Sequence, residues 1–205
     1  MTIEFPERFN MADYFLYHNL EEGRENKVCL YFKDRTYTYG EAARMSNRLG
    51  NALRSAGVGI EDRVLIVLPD CPEFVWTWFG AARIGAVITM VNPLLPAEDH
   101  RYYLEYTRAR AAIVHESFLE SFAQALPSAN HLHSLFVVRN EDALDAEPLN
   151  ATTGIESFSF AEIVEAQAPV CSGAETHRDD IAIWLFTSGS TGHPKGAVQD
   201  RKSVV

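Results

Sequence analysis

A chain of 205 residues with 18 Lys and Arg against 28 Asp and Glu carries a formal charge of −10, and 47% of its residues are apolar against 22% charged. That balance describes a globular chain able to bury a substantial core, and it excludes a binder of nucleic-acid backbones, whose basic residues would cluster on one face. Cys29, Cys71 and Cys171 are odd in number and lack metal-ligand spacing, so they read as apolar fillers without a disulfide framework, in a reducing, cytoplasmic setting.

The N-terminus, Met1-Thr2-Ile3-Glu4-Phe5-Pro6, has no basic region ahead of an apolar core and does not read as a signal peptide. From Asn10, which follows Phe9 and can cap a helix, a helical segment is predicted through Leu20 with Phe15 and Leu16 among its inward residues. Val28-Cys29-Leu30-Tyr31-Phe32, the turn Lys33-Asp34 and Arg35-Thr36-Tyr37-Thr38 then read as a β-hairpin. Thr38 and Glu41 stand at capping-box spacing. Ala42, Met45, Leu49, Ala52, Leu53 and Ala56 follow at helical spacing until Gly57.

Arg63 to Leu68 reads as a strand broken by Pro69-Asp70-Cys71-Pro72, and a helix from Glu73 to Ile84 is predicted to turn Phe74, Val75, Trp78, Phe79 and Ala82 inward. Ala86 to Val91 lacks polar alternation, as a strand buried on both faces would. The apolar stretch from Phe74 to Val91 is interrupted by Arg83, Gly80 and Gly85, so it reads as helix then strand and not as a membrane span. Pro96 leads a helix to about Thr107; Ala111 to Val114 is a strand, Ser117 to Ala125 a short helix, and Ser134 to Val138 a further strand. Strand, helix and strand at crossover spacing make parallel βαβ units, and their repetition predicts an α/β fold with a doubly wound, mostly parallel sheet flanked by helices. In such a sheet ligands bind beyond the carboxyl ends of the strands. Residues 139–155 turn acidic and read as a solvated loop. Ser159 and Glu162 cap a short helix to Gln167, Ala168 to Thr176 is a connector, and Asp179-Asp180 opens the last strand.

That last strand, Ile181 to Phe186, runs into Thr187-Ser188-Gly189-Ser190-Thr191-Gly192-His193-Pro194-Lys195-Gly196. Glycines let backbone N–H groups turn toward an anion, hydroxyls add donors, and Lys195 brings a mobile positive charge, which together outline a phosphate loop. The Walker A pattern fails at two positions, because Pro194 stands where its second glycine would be and Gly196 where its Ser or Thr would hold magnesium. A flexible Gly/Ser linker is the plain alternative, yet linkers rarely follow an apolar strand or carry Pro-Lys-Gly at this spacing.

At every fixed position this stretch resembles the signature loop of the adenylate-forming (AMP-binding) enzymes, which include acyl- and aryl-CoA synthetases, luciferases and peptide-synthetase adenylation domains. Phe9 to Phe15, Asp34 to Tyr39, Asp62 to Asp70, Gly85-Ala86-Val87, Val91 to Leu95, Tyr102-Tyr103-Leu104-Glu105 and Arg108 to Ala111 are similar to the aryl-CoA ligase branch typified by benzoate-CoA ligases. The resemblance implies a ligase that uses ATP, Mg2+ and coenzyme A to convert a carboxylic acid, aromatic by branch, first to an acyl-adenylate and then to a thioester. It implies nucleotide-binding roles for Thr187, Ser188, Gly189, Ser190, Thr191, Gly192, Pro194, Lys195 and Gly196, with Lys195 on the β/γ-phosphates and acting in catalysis.

Members of that family are more than twice this length. The resemblance therefore implies that residues 1–205 are the N-terminal portion of the adenylation domain, cut just after residues 187–196 and without the small C-terminal domain. The adenine and ribose contacts, the magnesium carboxylate, most of the acyl pocket and a second lysine would lie beyond Val205, so the chain alone is expected to be inactive and to expose apolar surface prone to self-association. Near Gln199 or Arg201 the family commonly has a histidine, which this chain lacks. Two other readings keep the loop but give it a different role. One is adenylation with another acceptor, such as a carrier-protein thiol or the oxygen of luciferases, and the other is a non-catalytic nucleotide-binding module. His131 and His133 have no third ligand at matching spacing, and no G-x-S-x-G elbow offers a nucleophile.

Overall fold

Runs such as Val64-Leu65-Ile66-Val67 have no polar alternation and need burial on both faces. In the computed structural model, which describes residues 4–140, 155–187 and 194–204, they form the middle of a seven-stranded sheet. A separate hairpin pairs β1 (Val28–Phe32) with β2 (Arg35–Thr38), and α1 (His18–Glu21) continues a helical segment that is π-helical over Asp13–Tyr17. Next come α2 (Tyr39–Ser55), β3 (Arg63–Val67), α3 (Pro72–Arg83), β4 (Val87–Met90), α4 (Ala97–Thr107) and β5 (Ala111–His115). They are followed by α5 (Leu119–Ala123), β6 (Ser134–Val138), β7 (Glu156–Ser159), α6 (Phe160–Glu165), β8 (Ile181–Thr187) and β9 (Lys195–Asp200).

The sheet order is β7-β6-β5-β3-β4-β8-β9, and every pair is parallel except β8 with β9. Alternate residues of each inner strand serve opposite layers. Val64, Ile66, Ile88, Ile113, Phe136 and Ile183 pack with α2, α3 and α6, whereas Leu65, Val67, Ala112, Val114 and Leu135 pack with α4 and α5. The connection from β3 to β4 runs through α3 on one face and that from β4 to β5 through α4 on the other, which is the doubly wound arrangement.

Local chemistry fixes the helices. The Thr38 hydroxyl accepts from the Glu41 N–H while the Glu41 carboxylate accepts from the Thr38 N–H, a reciprocal capping box at the start of α2. Gly57, at φ 78°, takes the left-handed position after its end. At the far end of α4, Arg63 donates from Nε to the Thr107 carbonyl and from Nη2 to that of Arg108, placing a cation on the helix carbonyls that lack partners within the helix. The connector 168–176 lies along α2 and α3: Asn47, Asn51 and Arg54 donate to the carbonyls of Pro169, Ala168, Val170 and Ser172, and Arg83 to that of Cys171.

Two expectations change. The inward face of α3 consists of Trp76, Thr77, Gly80, Ala81 and Ala82, while Phe74, Val75, Trp78 and Phe79 are only partly buried. The smallest residues decide this phase, because a Cβ built on Gly80 would lie 2.9 Å from the Ser46 carbonyl oxygen and 3.1 Å from the Gly50 nitrogen, so α2 and α3 touch backbone to backbone there. β7 and β9 are additional strands, each short or rich in polar residues, recruited by a neighbouring strand's free edge. Of the predicted 139–155 loop, residues 141–154 lie outside the described residues.

Gly80→Ala is expected to force the two helices apart and lower stability by about 1–3 kcal/mol, read from the shift in urea midpoint at unchanged slope. His100 is fully buried against Phe122, and neither ring nitrogen has a hydrogen-bond partner among the described residues. Burial pushes its pKa below the ordinary 6.5, with Asp99 and the nearby Leu95 carbonyl pulling weakly the other way. The unfolded chain therefore takes up this proton first. Stability conferred by neutral His100 is complete above about pH 6.5 and is lost as the pH falls below it, so melting temperatures measured down to pH 5 should drop less steeply in His100→Leu.

Candidate functional site

β8 is parallel to β4, with Ile88 opposite Ile183 and Thr89 opposite Trp184, so its carboxyl end emerges on the same edge as those of the other parallel strands. The chain then reverses. β9 returns antiparallel along the outer side of β8, with Phe186 opposite Gly196 and Thr187 opposite Lys195. The signature stretch is thus carried on a reversal between two hydrogen-bonded strands. Among the residues predicted from sequence, Thr187, Pro194, Lys195 and Gly196 are brought together at its base, with Thr187 and Lys195 both exposed. Ser188, Gly189, Ser190, Thr191 and Gly192 lie outside the described residues, as does His193.

In a Walker-type loop the glycines lead into a helix, whose N-terminus adds N–H groups and a positive dipole end. Here Lys195 begins a strand. At the base of this reversal, the positive charge comes from the Lys195 side chain and not from a helix end.

An aromatic cluster from α4 braces the base. The Tyr102 hydroxyl donates to the Pro194 carbonyl at 2.7 Å, and Tyr102 stacks on Tyr106 with ring centroids 5.5 Å apart. Tyr103 and Tyr106 meet Phe186 edge-on at 4.6 and 5.8 Å, and Tyr106 also approaches Trp184 at 6.1 Å. The rings close tightly over Gly196, where a Cβ would sit 3.2 Å from the Tyr106 ring and 3.3 Å from that of Phe186. Desolvation, and then Tyr106, push the Tyr102 phenol above its ordinary pKa, which keeps it a proton donor. The sequence offered a signal for this brace, two tyrosines four apart on one helix, but their distance in sequence from Pro194 hid the connection.

Two concavities are lined by other described residues. A polar crevice of about 910 Å3 opens where β3 and β5 send their connections to opposite faces, and it is lined by Asp70, Cys71, Glu73, His115, Glu116 and Arg139 together with Lys33, Asp34 and Arg35 of the hairpin turn. Burial, reinforced by Glu73, pushes the Cys71 thiol up to about 12, so it offers no thiolate near neutral pH. An apolar hollow of about 480 Å3 lies between the hairpin and α3, lined by Phe15, Leu30, Phe74, Trp78 and Phe79 and bordered by Val204. Phe74, Val75, Trp78 and Phe79, expected in the core, therefore form one wall of this hollow. Among the described residues, no helix is long and apolar enough to cross a membrane, and no group of three or more His, Cys, Asp or Glu side chains is placed to hold a metal ion.

Comparison with known proteins identifies the family. Residues 17–205 match the AMP-binding enzyme family. The benzoate–CoA ligase of Thauera aromatica is 36% identical over 207 aligned residues, covering all of this chain and 36% of that protein. Among solved structures, an anthranilate CoA ligase in complex with anthranoyl-AMP superposes with a TM-score of 0.86 at 30% identity, over 97% of this chain and 36% of that one. A benzoate CoA ligase from Burkholderia xenovorans LB400 superposes at 0.77 and 30% identity, over 96% and 35%. The chain spans about a third of the length of these relatives. Sequence, sheet topology and the strand-borne loop converge: the chain belongs to the AMP-binding enzyme family.

Proposed function

We propose that residues 1–205 form the N-terminal portion of the adenylation domain of an ATP-dependent carboxylate–CoA ligase, acting on an aromatic acid. The observation that carries this reading is the fixed-position match from Thr187 to Gly196, on a reversal at the carboxyl edge of a parallel sheet with Lys195 exposed at its base. Similarity to benzoate and anthranilate ligases favours the aromatic acid.

In the first half-reaction a carboxylate oxygen attacks the α-phosphorus of Mg-ATP, the bond to the bridging oxygen breaks, and pyrophosphate leaves with the electron pair. In the second, the coenzyme A thiolate attacks the acyl carbon and AMP departs. This chain contributes to the first. Negative charge builds on the leaving β- and γ-phosphates, and donors fixed before the reaction stabilise it without reorganising.

Lys195 meets that charge with its ammonium group, and Thr187, Ser188, Ser190 and Thr191 donate hydroxyl hydrogens. Gly189 and Gly192 let the backbone approach the phosphates, Pro194 limits the freedom of the exit, and Gly196 admits the aromatic brace behind it. Magnesium enters with ATP. On this reading the adenine and ribose contacts, the magnesium carboxylate and most of the acyl pocket are supplied by polypeptide other than residues 1–205.

Lys195→Ala in the full-length protein should lower carboxylate-dependent ATP–pyrophosphate exchange by about a hundredfold with little change in melting temperature, because the side chain is exposed. Unchanged exchange would remove Lys195 from the phosphate site. The 205-residue chain alone should give no exchange with benzoate; measurable turnover would show that it holds a complete site.

A further inference from the structure

α4 packs on the face opposite α2 and α3, yet it reaches the exit of the signature stretch through Tyr102 and Tyr106. Tyr102 is half-buried, its ring stacked on Tyr106 at an interplanar angle of 30°, and its hydroxyl donates to the Pro194 carbonyl at 2.7 Å. Pro194 has no N–H and precedes Lys195, whose strand partner is Thr187 at the other side of the reversal. The peptide joining Pro194 to Lys195 thus has its carbonyl held by α4 while Lys195 is aligned by β8.

The same helix pins the next residue by contact. Tyr106 and Phe186 close over Gly196 so tightly that no Cβ fits without displacing a ring by a few tenths of an ångström. α4 is itself anchored at its far end by Arg63, which donates to the carbonyls of Thr107 and Arg108. A chain of contacts therefore runs from the start of β3, through α4, to the backbone beside Lys195.

We propose that Tyr102 is a positioning residue of the phosphate site: its hydroxyl fixes the Pro194–Lys195 peptide and so holds the lysine where the leaving pyrophosphate needs it. This rests on the ligase reading for its consequence but not for its geometry. Without the hydroxyl the stacking on Tyr106 remains, and the hydrogen bond to the Pro194 carbonyl is lost. Binding of Mg-ATP must then order a peptide that the wild-type protein has already ordered, a cost felt in substrate binding more than in turnover.

The test is Tyr102→Phe in the full-length protein, with Tyr31→Phe, on the exposed face of β1, as the control. Amide hydrogen exchange across residues 195–197 should quicken about fivefold in Tyr102→Phe, the size expected for loss of one neutral hydrogen bond, and not in the control. In ATP–pyrophosphate exchange with benzoate, the KM for Mg-ATP should rise by a similar factor while kcat changes less than twofold. Faster amide exchange with unchanged KM would overturn the positioning role while leaving the tether real. Unchanged amide exchange would overturn the tether itself, as would a fall in melting temperature unaccompanied by local exchange. If the unaltered protein shows no exchange with any aromatic or aliphatic acid, the ligase reading and the phosphate role fail together, and amide exchange still decides whether the tether exists.

Discussion

The backbone pairing of β8 with β9 is the constraint through which sequence becomes site. β8 is bound on its inner side to β4 within a rigid parallel sheet, and the outer side of β8 catches the returning chain. That capture brings Thr187 and Lys195, eight positions apart in sequence, to opposite places in one ladder. On the proposed phosphate role, what the glycine-rich stretch does for an anion depends on having Thr187 and Lys195 held at a fixed separation. Position and freedom are divided between the two parts: the strands supply the first, and the glycines supply backbone that can turn its N–H groups inward.

Most of the sheet could be read before it was seen, because a strand buried on both faces leaves no ambiguity in its composition. β3 and β4 declare themselves as runs of mostly Val, Leu, Ile and Met, without polar alternation, and the Thr38–Glu41 capping box marks the start of α2 by chemistry local to four residues. β9 did not declare itself. Its sequence, Lys195-Gly196-Ala197-Val198-Gln199-Asp200, alternates poorly and contains a glycine, and it is a strand because β8 offers unpaired N–H and C=O groups rather than because its own residues favour extension. β7 is similar, with Phe158 as its single large apolar residue packed on Phe136.

The phase of α3 was illegible for another reason. From Phe74 to Ala82 the helix is apolar on nearly every side, so periodicity cannot choose a face, and the choice falls to Gly80, which permits the closest approach to α2. Large aromatic residues were the stronger signal in sequence and the weaker one in space. The site was legible in the same uneven way. The signature residues are contiguous and recognisable, whereas the tyrosines that brace them lie on a helix more than eighty residues earlier and become neighbours only through the crossover from β4 to β5.

That a strand and not a helix follows the loop has an electrostatic consequence. A helix N-terminus projects a field fixed by the backbone, partly sheltered from solvent and indifferent to side-chain motion. At the base of this loop the fixed field is replaced by one ammonium group on a flexible, solvent-exposed stem. Mobile ions screen such a charge over a Debye length of about 8 Å at physiological ionic strength. On the proposed phosphate role, attraction of a polyphosphate from a distance should therefore weaken with added salt, while the short-range donors of the loop would hold what has already arrived. In this architecture capture and grip are separate properties, governed by different parts of the same short stretch.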